Sequence, residues 1–149
     1  MAEKIGAEVL LVVKKLSRRI NHEVMKLRRM EDLIKRTSHE LDGLPHAQNH
    51  ASTVEKLTCA IVDAKELVQI LIGLRSACRV ELVDLLEKLL GKFTAECQTL
   101  IYRYAYEYFF TSIETVLNYS KSSVYRFHRE GLKMLGISVE TIRTLEEDF

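Results

Sequence analysis

The ten residues "IYRYAYEYFF", Ile101 to Phe110, decide the fold class. Tyr102, Tyr104, Tyr106 and Tyr108 alternate with Arg103, Ala105 and Glu107, as a two-faced strand would. The alternation fails at Phe109–Phe110, and no second alternating run stands ready to pair with it. At about 100° per residue the same letters form one stripe of Tyr102, Tyr106, Phe109, Ile113 and Val116. Cys97, Ile101, Tyr104 and Tyr108 form a second stripe, roughly opposite, with Arg103, Glu107 and Glu114 in the strip between. The segment reads as a helix, continuous through Phe110 and apolar on two sides. Such a helix lies between neighbours or lends one side to a partner. Tyrosine can bury its ring while its hydroxyl stays wet, so Ile101, Tyr104 and Tyr108 are the candidate partner-binding residues.

Composition agrees with helix. The 149 residues suffice for one domain with its own core, and the 47% hydrophobic and 29% charged shares are those of a folded chain. Six glycines and one proline are too few for the turns that an all-β fold needs every 8–12 residues or so. No secretory signal is legible in "MAEKIGAEVLLVVKKL", and no apolar run nears the roughly 20 residues of a membrane span. Cys59, Cys78 and Cys97 are an odd number without a C-x-x-C pair. They read as reduced core thiols of a cytoplasmic protein.

Reading outward from the aromatic segment, Val9, Val13, Leu16, Ile20, Leu27, Met30, Ile34 and Leu41 mark one long helix from Glu3 to Asp42. Gly43 and Pro45 stop it, and "DGLPHAQNHAS" is the loop. Ser52 and Glu55 have capping-box spacing ahead of a second helix, whose face is Leu57, Ile61, Ala64, Val68 and Leu71. Leu67, Ile70 and Ile72 widen that face, so this helix is expected to be the most buried. Gly73 and Ser76 predict a break before a third helix, Val80–Leu90, that ends at Gly91. Beyond the aromatic helix, Val124, Phe127, Leu132 and Leu135 face inward on a helix stopped by Gly136. Ser138 caps a last short one.

Motifs for chemistry are missing. "GK" at Gly91–Lys92 lacks the rest of a phosphate loop, and neither G-x-S-x-G nor H-E-x-x-H occurs. Paired Glu-x-x-His ligands for a di-iron bundle are likewise absent. His39, His46 and His50 read as loop histidines, since only a helix would bring the last two onto one face. No catalytic, metal or cofactor site is expected.

The strongest charge feature lies in the first helix. Between Lys14 and Arg36 nine basic residues stand against Glu23, Glu31 and Asp32, a net +6, so the rest of the chain sums to −5. Lys15, Arg18, Arg19, Lys26 and Arg29 are the candidate anion-binding residues, with His22 among them. Such a stripe suits an anionic membrane or an acidic partner. Nucleic acid fits poorly with a net charge of only +1.

The order "KLRRMEDLIKRTSHELDGL", a loop, then "STVEKLTCAIVDAKELVQIL" joins a basic, leucine-spaced helix to "EKLTCA" at Glu55–Ala60 and "AKELV" at Ala64–Val68. This stretch, roughly Lys14–Leu71, resembles the N-terminal four-helix bundle of the mixed-lineage kinase domain-like proteins. It is similar as well to the cell-death bundles of fungi and the coiled-coil domains of some plant immune receptors. The resemblance implies oligomerisation and permeabilisation of phosphoinositide-rich membrane, with Lys15, Arg18, Arg19, Lys26 and Arg29 as lipid contacts. No kinase or nucleotide-binding domain follows in this sequence, so on that reading control would come from elsewhere.

The expectation is therefore an all-α fold, an antiparallel bundle of four main helices plus one or two short C-terminal ones, forming one domain over residues 1–149. Its expected work is protein–protein interaction or assembly as a non-catalytic adaptor, self-associating through the aromatic helix. The alternative is a membrane-engaging bundle that binds anionic lipid through its basic first helix.

Overall fold

Hydroxyl caps open the helices at Ala95–Leu100, Lys121–Met134 and Val139–Glu147, and left-handed glycines close those at Ala47–Leu90 and Lys121–Met134. In the computed structural model, residues 5–41 and 47–149 are described, with side chains described outside 38–52. Among them run α1 (Ala7–Leu10), α2 (Val12–Leu41), α3 (Ala47–Leu90) and α4 (Ala95–Leu100). A π-helical turn (Ile101–Ala105) follows, then α5 (Phe110–Leu117), α6 (Lys121–Met134) and α7 (Val139–Glu147). All regular structure among the described residues is helical, and no strand is present.

Gly91 ends α3 at φ +88. Thr94 then caps α4, its hydroxyl accepting the Cys97 N–H at 3.2 Å. Ser120 and Ser138 do the same for α6 and α7, accepting from the N–H groups of Ser123 and Thr141. At the end of α6, Ile137 N–H reaches the Leu132 carbonyl at 2.9 Å and Gly136 N–H that of Lys133 at 3.0 Å. This is the Schellman arrangement, with Gly136 at φ +75 in the left-handed position.

The two long helices depart from their expected limits. The first is interrupted at Leu11, a turn that lets Leu10, Leu11 and Val13 all enter the core while Val9 stays exposed. The second runs unbroken through Gly73 and Ser76, because an exposed glycine inside a helix costs only about 1 kcal/mol. It begins at Ala47, so Ser52 lies inside the helix and is not its cap. Gly43, Pro45 and His46 fall outside the described residues.

The chain divides into two compact units, residues 1–17 with 75–149, and residues 18–74. In the first, Leu10, Leu11 and Val13 share a core with Leu82, Leu86 and Leu90 of α3 and Leu100, Leu132 and Ile142 from the later helices. α6 packs on α4 and α5, and α1 on α7. Gly131 makes the first of these contacts close, since a Cβ there would sit 3.0 Å from Leu100 Cδ1. In the second unit Ile20, Ile61, Ala64, Val68 and Leu71 are buried, and Lys65 of α3 meets Glu31 of α2 at 3.9 Å. Ile70 is largely exposed, against the expectation that α3 is buried here on most of its surface. Two helices cover one stripe of each other and leave the remainder to solvent.

Replacing Gly136 by alanine forces a Cβ into the left-handed region, so Gly136→Ala is expected to lower stability by about 1 kcal/mol. Urea denaturation should show a lower midpoint at unchanged slope.

Candidate interaction surface

α4 does not continue through the aromatic run. Past Leu100 the backbone widens to a π turn, in which Tyr106 N–H bonds the Ile101 carbonyl at 3.1 Å. Tyr108 N–H then reaches back to the Tyr102 carbonyl at 2.8 Å, and Glu107 between them stands at φ 59. A glutamate in the left-handed region is strained and needs outside support. Ser17 supplies it, donating to Glu107 Oε2 at 2.6 Å while accepting from Arg75 Nη1 at 3.1 Å. Two further arginines satisfy the carbonyls left open by the break. Arg79 Nε donates to Ala105 O at 2.7 Å, and Arg103 Nη1 donates to Tyr108 O at 3.1 Å. Cations at the carbonyl end of a helix also suit its dipole.

The break changes which aromatic residues face outward. Ile101 and Tyr104, two of the three expected partner contacts, lie in the core, Tyr104 at only 2% exposure. Only Tyr108 of that set reaches the surface. The correction has a geometric cause: a turn wider than 3.6 residues followed by a reversal at Glu107 ends the common phase of the two stripes. Tyr102, Tyr106 and Tyr108 instead gather into one cluster, with ring centroids 5.3–6.4 Å apart. The Arg79 guanidinium lies 6.0 Å from the Tyr106 ring.

Beside this cluster an open groove of about 250 Å³ is walled by Val83, Phe93, Ile101, Tyr102 and Tyr106, with Glu87, Lys92 and Gln98 along its polar side. Phe93 sits in the turn between α3 and α4 and is 84% exposed. Periodicity gives no hint of it, because it belongs to no helix. Its one signal in the sequence is an aromatic residue in a turn, flanked by Lys92 and Thr94.

Facing inward from the same segment, the Tyr104 hydroxyl and His128 Nε2 lie 2.6 Å apart, with Phe110 packed edge-on against the His128 ring at 5.0 Å. Burial first, then the Arg103 cation, pushes His128 down to about 4, against the opposing pull of Glu146. Burial likewise holds the Tyr104 phenol above its ordinary range. Both rings are therefore neutral at pH 7, and the arrangement that suits both has the phenol donating to Nε2. A pocket of about 170 Å³ adjoins the pair, bordered by Arg103, Tyr125, Arg143 and Glu146. General acid–base work favours a group that titrates near the working pH, and neither member of this pair does. The pair's evident work is to tie the aromatic segment to α6. Sequence reading passed over His128, since a histidine on an apolar helix face carries no motif.

All five candidate cations are exposed on α2. Lys15 belongs to the first unit and Arg18, Arg19, Lys26 and Arg29 to the second. Lys26 has Glu23 at 4.0 Å, and Lys14 is drawn away to Glu146 at 2.9 Å. Of the cysteines expected in the core, Cys97 is buried and Cys78 half-buried, whereas Cys59 is exposed on α3. Burial above all lifts the Cys97 thiol to about 11, which keeps it unreactive. The side chains of His39, His46 and His50 lie outside those described. Among the described residues no three metal-ligating side chains converge, and no helix is long and apolar enough to cross a membrane. No protein-family model, curated protein or solved structure matches the chain.

His128 fixes the sign of a pH dependence. The unfolded chain takes up its proton below about 6.5 and the folded one only near 4, so the unfolded state binds more protons between those values. Stability is thus expected in full above pH 6.5 and to fall through that window, by on the order of 3 kcal/mol. Thermal or urea unfolding from pH 7.5 to 4 measures it. His128→Gln should remove most of the slope, and Tyr104→Phe, which strands Nε2, should cost roughly 1–3 kcal/mol at pH 7.

Proposed function

We propose that this protein is a non-catalytic, bundle-type interaction module that holds a protein partner in the aromatic groove beside the helix break. The observation that carries this reading is Phe93, largely exposed and lining one groove with Val83, Tyr102 and Tyr106. Aromatic side chains supply large, low-entropy contact area and dominate interface hot spots. The tyrosines stand on a backbone held by Arg79, Arg103 and the Ser17–Glu107 bond, which reduces the ordering they need on binding. Glu87 and Lys92 give the groove one charge of each sign along its rim. The occupant this favours is a protein segment with one or two apolar anchors in a mixed-charge setting. Binding to an anionic membrane through the cations of α2 is the alternative, and their shared exposure is what supports it.

Replacing Phe93 and Tyr106 together by alanine should leave helix content unchanged, because neither ring is in the core. Affinity capture from native lysate, run side by side with both proteins, should lose any partner held in the groove by at least about tenfold in the variant. Equal recovery of every captured protein by the two would contradict the assignment.

A further inference from the structure

α2 and α3 each carry, within residues 18–74, an exposed ridge on the face away from their buried side chains. On α2 the ridge is Met25, Arg29 and Leu33, and on α3 it is Val62, Glu66 and Ile70. The four apolar members are exposed to 53%, 48%, 51% and 66%. Arg29 comes nine residues after buried Ile20, half a turn away at about 100° per residue. Glu66 lies two residues from each of buried Ala64 and Val68, about 160° round the helix from both. Neither Arg29 nor Glu66 has an ion-pair partner among the described residues.

The two ridges share one pattern with opposite charge. Each has an apolar residue, a charge four positions on, and a second apolar residue four further. Each therefore spans about 12 Å at 1.5 Å per residue. Ridges at four-residue spacing pack side by side in the commonest class of helix contact. Neither ridge is covered in one copy of the chain, yet each is what the other requires.

We infer that the α2 ridge of one copy docks on the α3 ridge of a second copy, with Arg29 paired to Glu66 between two apolar contacts. The occupant follows from this complementarity: a lipid surface would account for the cations of α2 but not for an acidic ridge of matching length on α3. Two different patches meet, so the contact is head-to-tail, and each added copy presents a fresh ridge. This surface is separate from the aromatic groove and stands or falls independently of it.

The test is sedimentation velocity on the full chain over a concentration series, in low and moderate salt. Wild type should grow beyond a dimer with concentration, and less so in salt. Arg29→Glu and Glu66→Arg should each weaken association at least about tenfold, with helix content unchanged because both side chains are solvent-exposed. An equimolar mixture of the two variants should regain assembly beyond a dimer with the two alternating, since both pairings between unlike copies are attractive and both between like copies are repulsive. The double variant, with the charges exchanged, should again assemble. Wild type that stays monomeric at millimolar concentration, or single variants that associate as wild type does, would overturn the inference. So would a wild type that binds phosphatidylserine vesicles through Arg29 without self-association, which would assign the α2 ridge to lipid.

Discussion

The Arg79 hydrogen bond to the Ala105 carbonyl is the contact from which the rest of the larger unit follows. A helix that stops in mid-protein leaves carbonyls without partners, and buried ones cost free energy unless something donates to them. Here α3 passes the end of the π turn and supplies a guanidinium, while Arg103 and the Ser17–Glu107 pair hold the next few residues. With those donors in place the chain can reverse at Glu107. The reversal sends Tyr104 inward to His128 and leaves Tyr102, Tyr106 and Tyr108 together at the surface. Core and candidate groove are thus two sides of one backbone event.

Much of the fold was legible in the sequence, and the reason is local chemistry. Gly91, Gly136 and Ser138 act through their own neighbours, so their roles can be read without knowing the tertiary structure. The buried faces of Ile61–Leu71 and Leu132–Leu135 follow from period alone. Failures occurred where the deciding partner is distant in sequence. Nothing near Tyr106 announces that Arg79 and Ser17, 26 or more residues away, will stabilise a break there. Gly73 misled for the converse reason: a residue tolerant of turns does not make one when the sequence on both sides of it is helical.

The candidate site was less legible than the fold. Of the three side chains expected to meet a partner within the aromatic segment, Ile101 and Tyr104 build the core and Tyr108 is exposed. Phe93 was invisible to any pattern search because turns have no period. The exposed cations of α2 were found by counting charge, and the structure adds the apolar residues between them and the acidic counterpart on α3. Both surfaces consist of apolar side chains that the chain's own neighbours leave exposed.

Backbone chemical shifts of residues 98–112 test the central point most directly. Helical Cα shifts should persist through Ala105, give way to a left-handed value at Glu107 and an extended one at Phe109, then resume at Thr111. Unbroken helical shifts from Gln98 to Thr111 would contradict the break, and with it the outward turn of the three tyrosines.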